Sequence, residues 1–204
     1  MKRSWEFMTQ ERIVKVERVT KETNIKLVLN LSRAGESLLQ TEIPFLNHLL
    51  HAMAFHGGFS IQVKAEGDMT VDPHHQAEDL GLVLGDAISR VVPAFGSVAR
   101  FGYSVIPMDE ALSEAALDLC GRPHLTYRAD FPQALCGSFP VALLNEFFSA
   151  LANKSAGSYH LLCRYGENSH HMAESLFKAL GKTLSQALRP LEDSGQFPST
   201  KGII

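Results

Sequence analysis

His74-His75-Gln76-Ala77-Glu78 and His170-His171-Met172-Ala173-Glu174 are two copies of one pattern, and their surroundings match as well. Leu46-Asn47-His48-Leu49-Leu50-His51-Ala52-Met53-Ala54 lines up with Leu144-Asn145-Glu146-Phe147-Phe148-Ser149-Ala150-Leu151-Ala152. Gly57-Gly58-Phe59-Ser60 falls opposite Ala156-Gly157-Ser158-Tyr159, and Gly67 opposite Gly166. A repeat of this length marks a duplicated half-domain. Each half is expected to lay a mainly four-stranded sheet on two helices, an α+β architecture. No stretch between the halves reads as a flexible linker. The expectation is one domain over 1–204, with repeats at about 10–95 and 96–192 and a tail at 193–204.

Local patterning fills in the elements. Arg12–Val19, Asn24–Leu31 and Ser37–Glu42 read as strands, the second with clean alternation. Pro44 opens a helix over Phe45–Phe55, closed by Gly57-Gly58. Ile61–Ala65 is a strand, and a helix from His74 to Val92 is expected to stop at Pro93. The second half gives strands at Ser104–Pro107, Ala111–Leu119 and Leu125–Asp130. Helix Pro140–Ala152, strand Ser158–Arg164 and helix Ser169–Leu188 follow. The tail from Glu192 reads as irregular.

Composition narrows the function classes. With 45% hydrophobic residues and a net charge of −3, the chain has a globular balance and no basic excess with which to neutralise nucleic-acid phosphates. Three cysteines without CxxC spacing argue against a disulfide framework or a zinc ribbon and fit a reducing compartment. No apolar run of transmembrane length or secretory h-region is found, so a soluble cytoplasmic protein is expected.

Nine histidines are the unusual count, and most of them cluster. On a helix, adjacent histidines diverge by about 100°, whereas residues three or four apart share a face. Glu78 meets His74 or His75, and one histidine points elsewhere. The same holds for His170, His171 and Glu174. Two such helices face to face would build two metal sites, each with a His/Glu pair from one helix and the odd histidine of the other. Imidazole and carboxylate without thiolate suit Mn²⁺, Fe²⁺ or Zn²⁺. HExxH and HxxEH are absent, so a zincin-type general base has no place.

Several further residues carry two readings. His48 is a ligand or a partly buried helix histidine. His160, inside Tyr159-His160-Leu161-Leu162, is by default a hydrogen-bonded core histidine. Arg100 and Arg122, each near glycine, are surface structure or phosphate contacts. Ser199-Thr200-Lys201-Gly202 is a loose terminus or an anion clamp.

Phe45-Leu46-Asn47-His48, His56-Gly57-Gly58-Phe59, Gly67-Asp68, His74-His75-x-x-Glu78-Asp79, Arg100-Phe101-Gly102, Asp109-Glu110-Ala111-Leu112, Asp118-Leu119-x-Gly121-Arg122-Pro123 and Gly166-Glu167-Asn168-Ser169-His170-His171-x-x-Glu174 occur in this order. With Arg18-Val19-Thr20-Lys21-Glu22-Thr23 and the Ser199 tail, they resemble the imidazoleglycerol-phosphate dehydratase family over nearly the whole chain. The resemblance implies a hydro-lyase of histidine biosynthesis with a ribosomal S5 domain 2-like fold. It implies two Mn²⁺ ions, and trimers assembled into a 24-subunit shell with shared active sites. The implied reaction dehydrates D-erythro-imidazole glycerol phosphate to imidazole acetol phosphate through a di-metal-bound imidazolate. One ion would take His48, His75, His170 and Glu174, the other His74, Glu78, His160 and His171. Glu22, His56, Arg100, Arg122, Ser199 and Lys201 would contact substrate, together with ligands His48, His74, His75 and Glu78. Glu22 is the candidate acid/base, with Glu78 and Glu174 as the other catalytic carboxylates. Asn47 stands where the family usually has Asp, Asp72-Pro73 where it has two aspartates, and Gln76 where it commonly has Thr. An aspartate at 47 is expected to orient a ligand histidine, which an amide would do with less charge. No Asp-x-Asp-x-Thr phosphatase motif is present. The other readings the histidine pairs allow are a metal-storage shell without turnover and a di-metal hydrolase.

Overall fold

The computed structural model describes residues 11–32 and 35–191. The first half forms β1 (Ile13–Val19), β2 (Thr23–Asn30), β3 (Leu38–Gln40), α1 (Pro44–Gly57), β4 (Ser60–Gly67) and α2 (His74–Ser89). After a short helix, α3 (Val91–Phe95), the second half repeats that order. Its elements are β5 (Phe101–Met108), β6 (Ala111–Asp118), β7 (His124–Arg128), α4 (Leu143–Ser155), β10 (Ser158–Tyr165) and α5 (Ser169–Ala187), with a small hairpin of β8 (Leu135–Cys136) and β9 (Phe139–Pro140) before α4. The sheet orders are β1-β2-β4-β3 and β5-β6-β10-β7. Each runs antiparallel through its first three strands and ends on a parallel edge strand. The two halves therefore share one topology.

Alternation decides which face is buried. Val16, Leu27 and Val63 lie in register across β1, β2 and β4, and all three are buried. Leu117 and Tyr159 do the same across β6 and β10. These rows meet the helices, and apolar residues of both halves join in one core.

The helices pair across the halves: α1 packs on α5, and α2 on α4. Glycine sets the closeness of both contacts. A Cβ at Gly85 of α2 would lie 2.7 Å from the carbonyl of Leu151 on α4. A Cβ at Gly181 of α5 would lie 2.1 Å from the carbonyl of Met53 on α1. In the repeat alignment Gly85 matches Gly181 and Met53 matches Leu151, so one contact is built twice.

Three local expectations change. α2 ends at Ser89, and Pro93 sits in the first turn of α3, where its missing N–H has no helical acceptor to lose. The β8–β9 hairpin was not anticipated, because strands of two residues carry no period. The two His-pair helices do not form a packed pair within one chain, so the face-to-face arrangement is not made there.

Candidate metal centre and substrate corner

Helix starts place the histidine pairs. The Asn168 side chain accepts from the His170 N–H at 2.9 Å and caps α5. In the first half Asp72 accepts from the His74 N–H at 2.8 Å, while Pro73 stands at the cap with no N–H to satisfy. One aspartate of the family's usual pair is thus enough to start α2.

At the α1–α5 contact, His48 Nε2 lies 3.0 Å from Glu174 Oε2 and 3.2 Å from His170 Nε2, and His170 Nε2 lies 3.3 Å from the same carboxylate oxygen. Donors bound about 2.1 Å from an ion at right angles stand about 3 Å apart, so this spacing fits a shared divalent cation. Burial opposes the charge on Glu174. Hydrogen bonds from Lys178 and His48 outweigh it and hold the carboxyl down to about 2. The site therefore keeps an anionic donor across the physiological range.

On α2, His74 Nε2 lies 3.8 Å from Glu78 Oε2. The second histidine of each pair is held by an acid that the sequence reading gave no role. Asp68 meets His75 Nδ1 at 3.1 Å, and Glu110 meets His171 Nδ1 at 2.8 Å. Either contact leaves Nε2 for a metal, the arrangement of a carboxylate–histidine–metal relay. Hydrogen bonding to its carboxylate raises the pKa of each histidine, and His171 holds Glu110 down to about 2.

His160 is not the core histidine that its apolar neighbours suggest. Tyr159 and Leu161 are buried, so His160 faces the other side of the sheet and is exposed. It stands 5.6 Å from His124, ring to ring, beside an open cavity of about 580 Å³ lined also by Phe101, Asp118, Ser158 and Gln186. Arg100 belongs to this corner. Its left-handed backbone (φ 72°) turns the guanidinium onto Asp118, with Nε–Oδ1 2.6 Å and Nη2–Oδ2 3.1 Å. Arg122 lies exposed on the adjoining turn, where its carbonyl accepts from Ser158 Oγ. His56, in the last turn of α1, has its pKa lowered by partial burial and by the charges of Lys178 and Lys182. Glu22 is exposed on the β1–β2 turn. Ser199 and Lys201 lie outside the described residues.

The expected ligands therefore gather in separate places within a chain. Among the described residues, His75 does not join the His48, His170 and Glu174 group. His160 is five residues, about 16 Å along the strand, from the end of β10, and it lies on the face opposite the buried Tyr159 and Leu161.

Asn47 does not orient a histidine. Its Nδ2 donates to the Thr41 carbonyl at 3.2 Å, and its Oδ1 accepts from the Thr41 hydroxyl at 2.8 Å. Gln76 is likewise structural: it exchanges two 3.2 Å hydrogen bonds with Glu42, whose carboxylate also accepts from the Gly67 N–H.

Comparison with known proteins identifies the family and the fold. A family model described as imidazoleglycerol-phosphate dehydratase matches residues 41–184. The imidazoleglycerol-phosphate dehydratase of Acidithiobacillus ferrooxidans is 43% identical over 194 residues, covering 95% of this chain and 98% of that protein. That of Phenylobacterium zucineum is 43% identical, covering 95% and 99%. The crystal structure of the Pyrococcus furiosus enzyme in complex with (S)-C348 superposes with a TM-score of 0.80 at 33% identity, covering 93% of this chain and all of that one. The Staphylococcus aureus enzyme gives 0.79 at 31% identity, covering 88% and 99%. A duplicated α+β scaffold with imidazole–carboxylate groups at its helix starts is that of a metal-dependent hydro-lyase. The chain belongs to the imidazoleglycerol-phosphate dehydratase family, which serves histidine biosynthesis.

Proposed function

We propose that this chain converts D-erythro-imidazole glycerol phosphate to imidazole acetol phosphate, as one dehydratase domain of two repeats working in the cytoplasm. The observation that carries the reading is the convergence of His48, His170 and Glu174 at the α1–α5 contact. His48, His75, His170 and Glu174 would hold one Mn²⁺, and His74, Glu78, His160 and His171 a second. Two ions held there would supply the Lewis-acid activation of the substrate's imidazole that lets the hydroxyl on the carbon attached to the ring depart.

The chain's own groups do the rest. Glu22 protonates the hydroxyl that departs from the carbon attached to the ring and takes the proton from the next carbon, so that water leaves, and the resulting enol gains a proton at the ring-attached carbon to become the ketone. Arg100, Arg122, Ser199 and Lys201 bind the phosphate and fix the orientation of the chain it ends, with His56 at the rim. Asp118 holds Arg100 rigid for that task.

The separation of His160 from His171 within a chain supports an active site completed by a second copy, in trimers that build a 24-subunit shell. The test is direct assay of the acetol product with chelated and Mn²⁺-reconstituted protein. Turnover restored by Mn²⁺ is expected. No product from fully reconstituted protein would leave a metal-binding shell without turnover.

A further inference from the structure

Asp79 follows the ligand Glu78 on α2 but serves a different contact. Its carboxylate is buried and accepts from Arg18 Nε at 2.8 Å and from the Thr23 hydroxyl. Arg18 pairs with the buried Ile25 in the β1–β2 register, so it projects toward the helices. Thr23 opens β2. Between these two residues runs the turn Thr20-Lys21-Glu22.

That turn is tied at further points. Thr20 Oγ1 accepts from the N–H groups of Glu22 and Thr23 at 3.1 and 2.9 Å and lies 3.2 Å from Thr23 Oγ1. The Glu22 carbonyl accepts from the Asp68 N–H at 3.0 Å, and Asp68 is the residue that holds His75. The backbone beneath an exposed carboxylate is thus fastened to the helix that carries His74, His75 and Glu78.

We propose that Asp79 is a positioning residue for the reaction: through Thr23 and Arg18 it sets the turn so that Glu22 stands at a fixed place relative to the metal-ligand helix. This rests on the acid/base role given to Glu22 above. The physical need is strict. Proton transfer requires heavy atoms within about 3 Å, and a misplacement of about 1 Å costs on the order of 100-fold in rate. A carboxylate on an untethered turn would not meet that tolerance. A surface ion pair would join Arg18 to Asp79 alone. Here the same buried carboxylate also takes the hydroxyl at the end of the Glu22 turn.

The test uses Mn²⁺-loaded full-length protein with imidazole glycerol phosphate. Thr23→Val keeps side-chain volume and removes the hydroxyl. Its kcat is expected to fall about 10–100-fold, with KM and bound Mn²⁺ held and with Thr23→Ser near the parent rate. In metal-free Thr23→Val, amide exchange at Glu22 and Thr23 should quicken while α2 stays protected. An unchanged kcat in Thr23→Val, or a loss that tracks metal content or folded fraction, overturns the proposal. If Glu22→Gln turns over normally, the acid/base reading fails and the proposal with it. An inactive Glu22→Gln beside a fully active Thr23→Val removes the positioning role alone.

Discussion

Glu110, at the tip of the β5–β6 hairpin, accepts a hydrogen bond from Nδ1 of His171 at 2.8 Å. The same carboxylate takes the N–H groups of Glu167 and Asn168, so one side chain fixes both the histidine and the approach to α5. In the first repeat Asp68 does the corresponding work on His75 at 3.1 Å. Replacing either acid by its amide keeps an acceptor but removes the charge that raises the basicity of its histidine. Glu110→Gln and Asp68→Asn should each weaken Mn²⁺ affinity by about 10–100-fold. Metal titration followed by calorimetry reads this, and an affinity equal to the parent's would reduce these acids to loop anchors.

The Glu110–His171 pair also sets a pH window for the metal-free protein. The Glu110 carboxyl is held down to about 2, so its contribution is complete above its ordinary value of 4.5 and fades as pH falls toward 2. His171 is raised, so its contribution is complete below 6.5 and is lost as pH rises through the raised value. The pair therefore helps most between about 4.5 and 6.5. Urea midpoints of chelated protein across pH should show a hump there that flattens in Glu110→Gln. A hump of equal height in both proteins would remove the pair as its cause.

Asn47→Asp returns the residue usual in the family, yet here it should not improve metal binding. The Asn47 amide faces Thr41 and uses both its donor and its acceptor there. A carboxylate would lose the donor to the Thr41 carbonyl and set oxygen against oxygen. A stability loss of about 1–2 kcal/mol with unchanged Mn²⁺ affinity is expected. Tighter Mn²⁺ binding in the variant would show that residue 47 does reach a ligand.

The paired glycines give a graded prediction. A methyl group at Gly181 would lie 2.1 Å from a backbone carbonyl that cannot rotate away, and at Gly85 2.7 Å. Gly181→Ala should cost about 1–3 kcal/mol, and Gly85→Ala less. Because Gly181 lies at the α1–α5 contact, its variant should also loosen the His48–Glu174 approach and lower metal affinity. Equal effects on metal from both variants would contradict that assignment.

Much of the fold was legible because a duplication writes its signal twice. The His-pair motifs and the Leu46 and Leu144 segments locate four helices before any packing is known. What the sequence did not show is which helices pair. The α1–α5 contact joins His48 to a carboxylate 126 residues away, and no local period reports it. The histidine pairs were legible as donors. Their supporting acids were not, because Asp68 and Glu110 sit in turns where an acidic residue has many ordinary uses. For His160 a signal was present: period-two alternation with Tyr159 and Leu161 places it on the opposite face. The apolar character of the segment outweighed that alternation.

The crossing of the helices also bears on ancestry. His48 belongs to the first repeat, and His170 and Glu174 to the second, so neither half alone holds the trio. The position matching His48 in the second repeat is Glu146. A half-length ancestor could have made this corner only by associating as a homodimer, with two equivalent corners per pair. In the present chain the two corners differ, with an imidazole at His48 and a carboxylate at Glu146. The present chain joins in one polypeptide the two halves that such a dimer would have supplied.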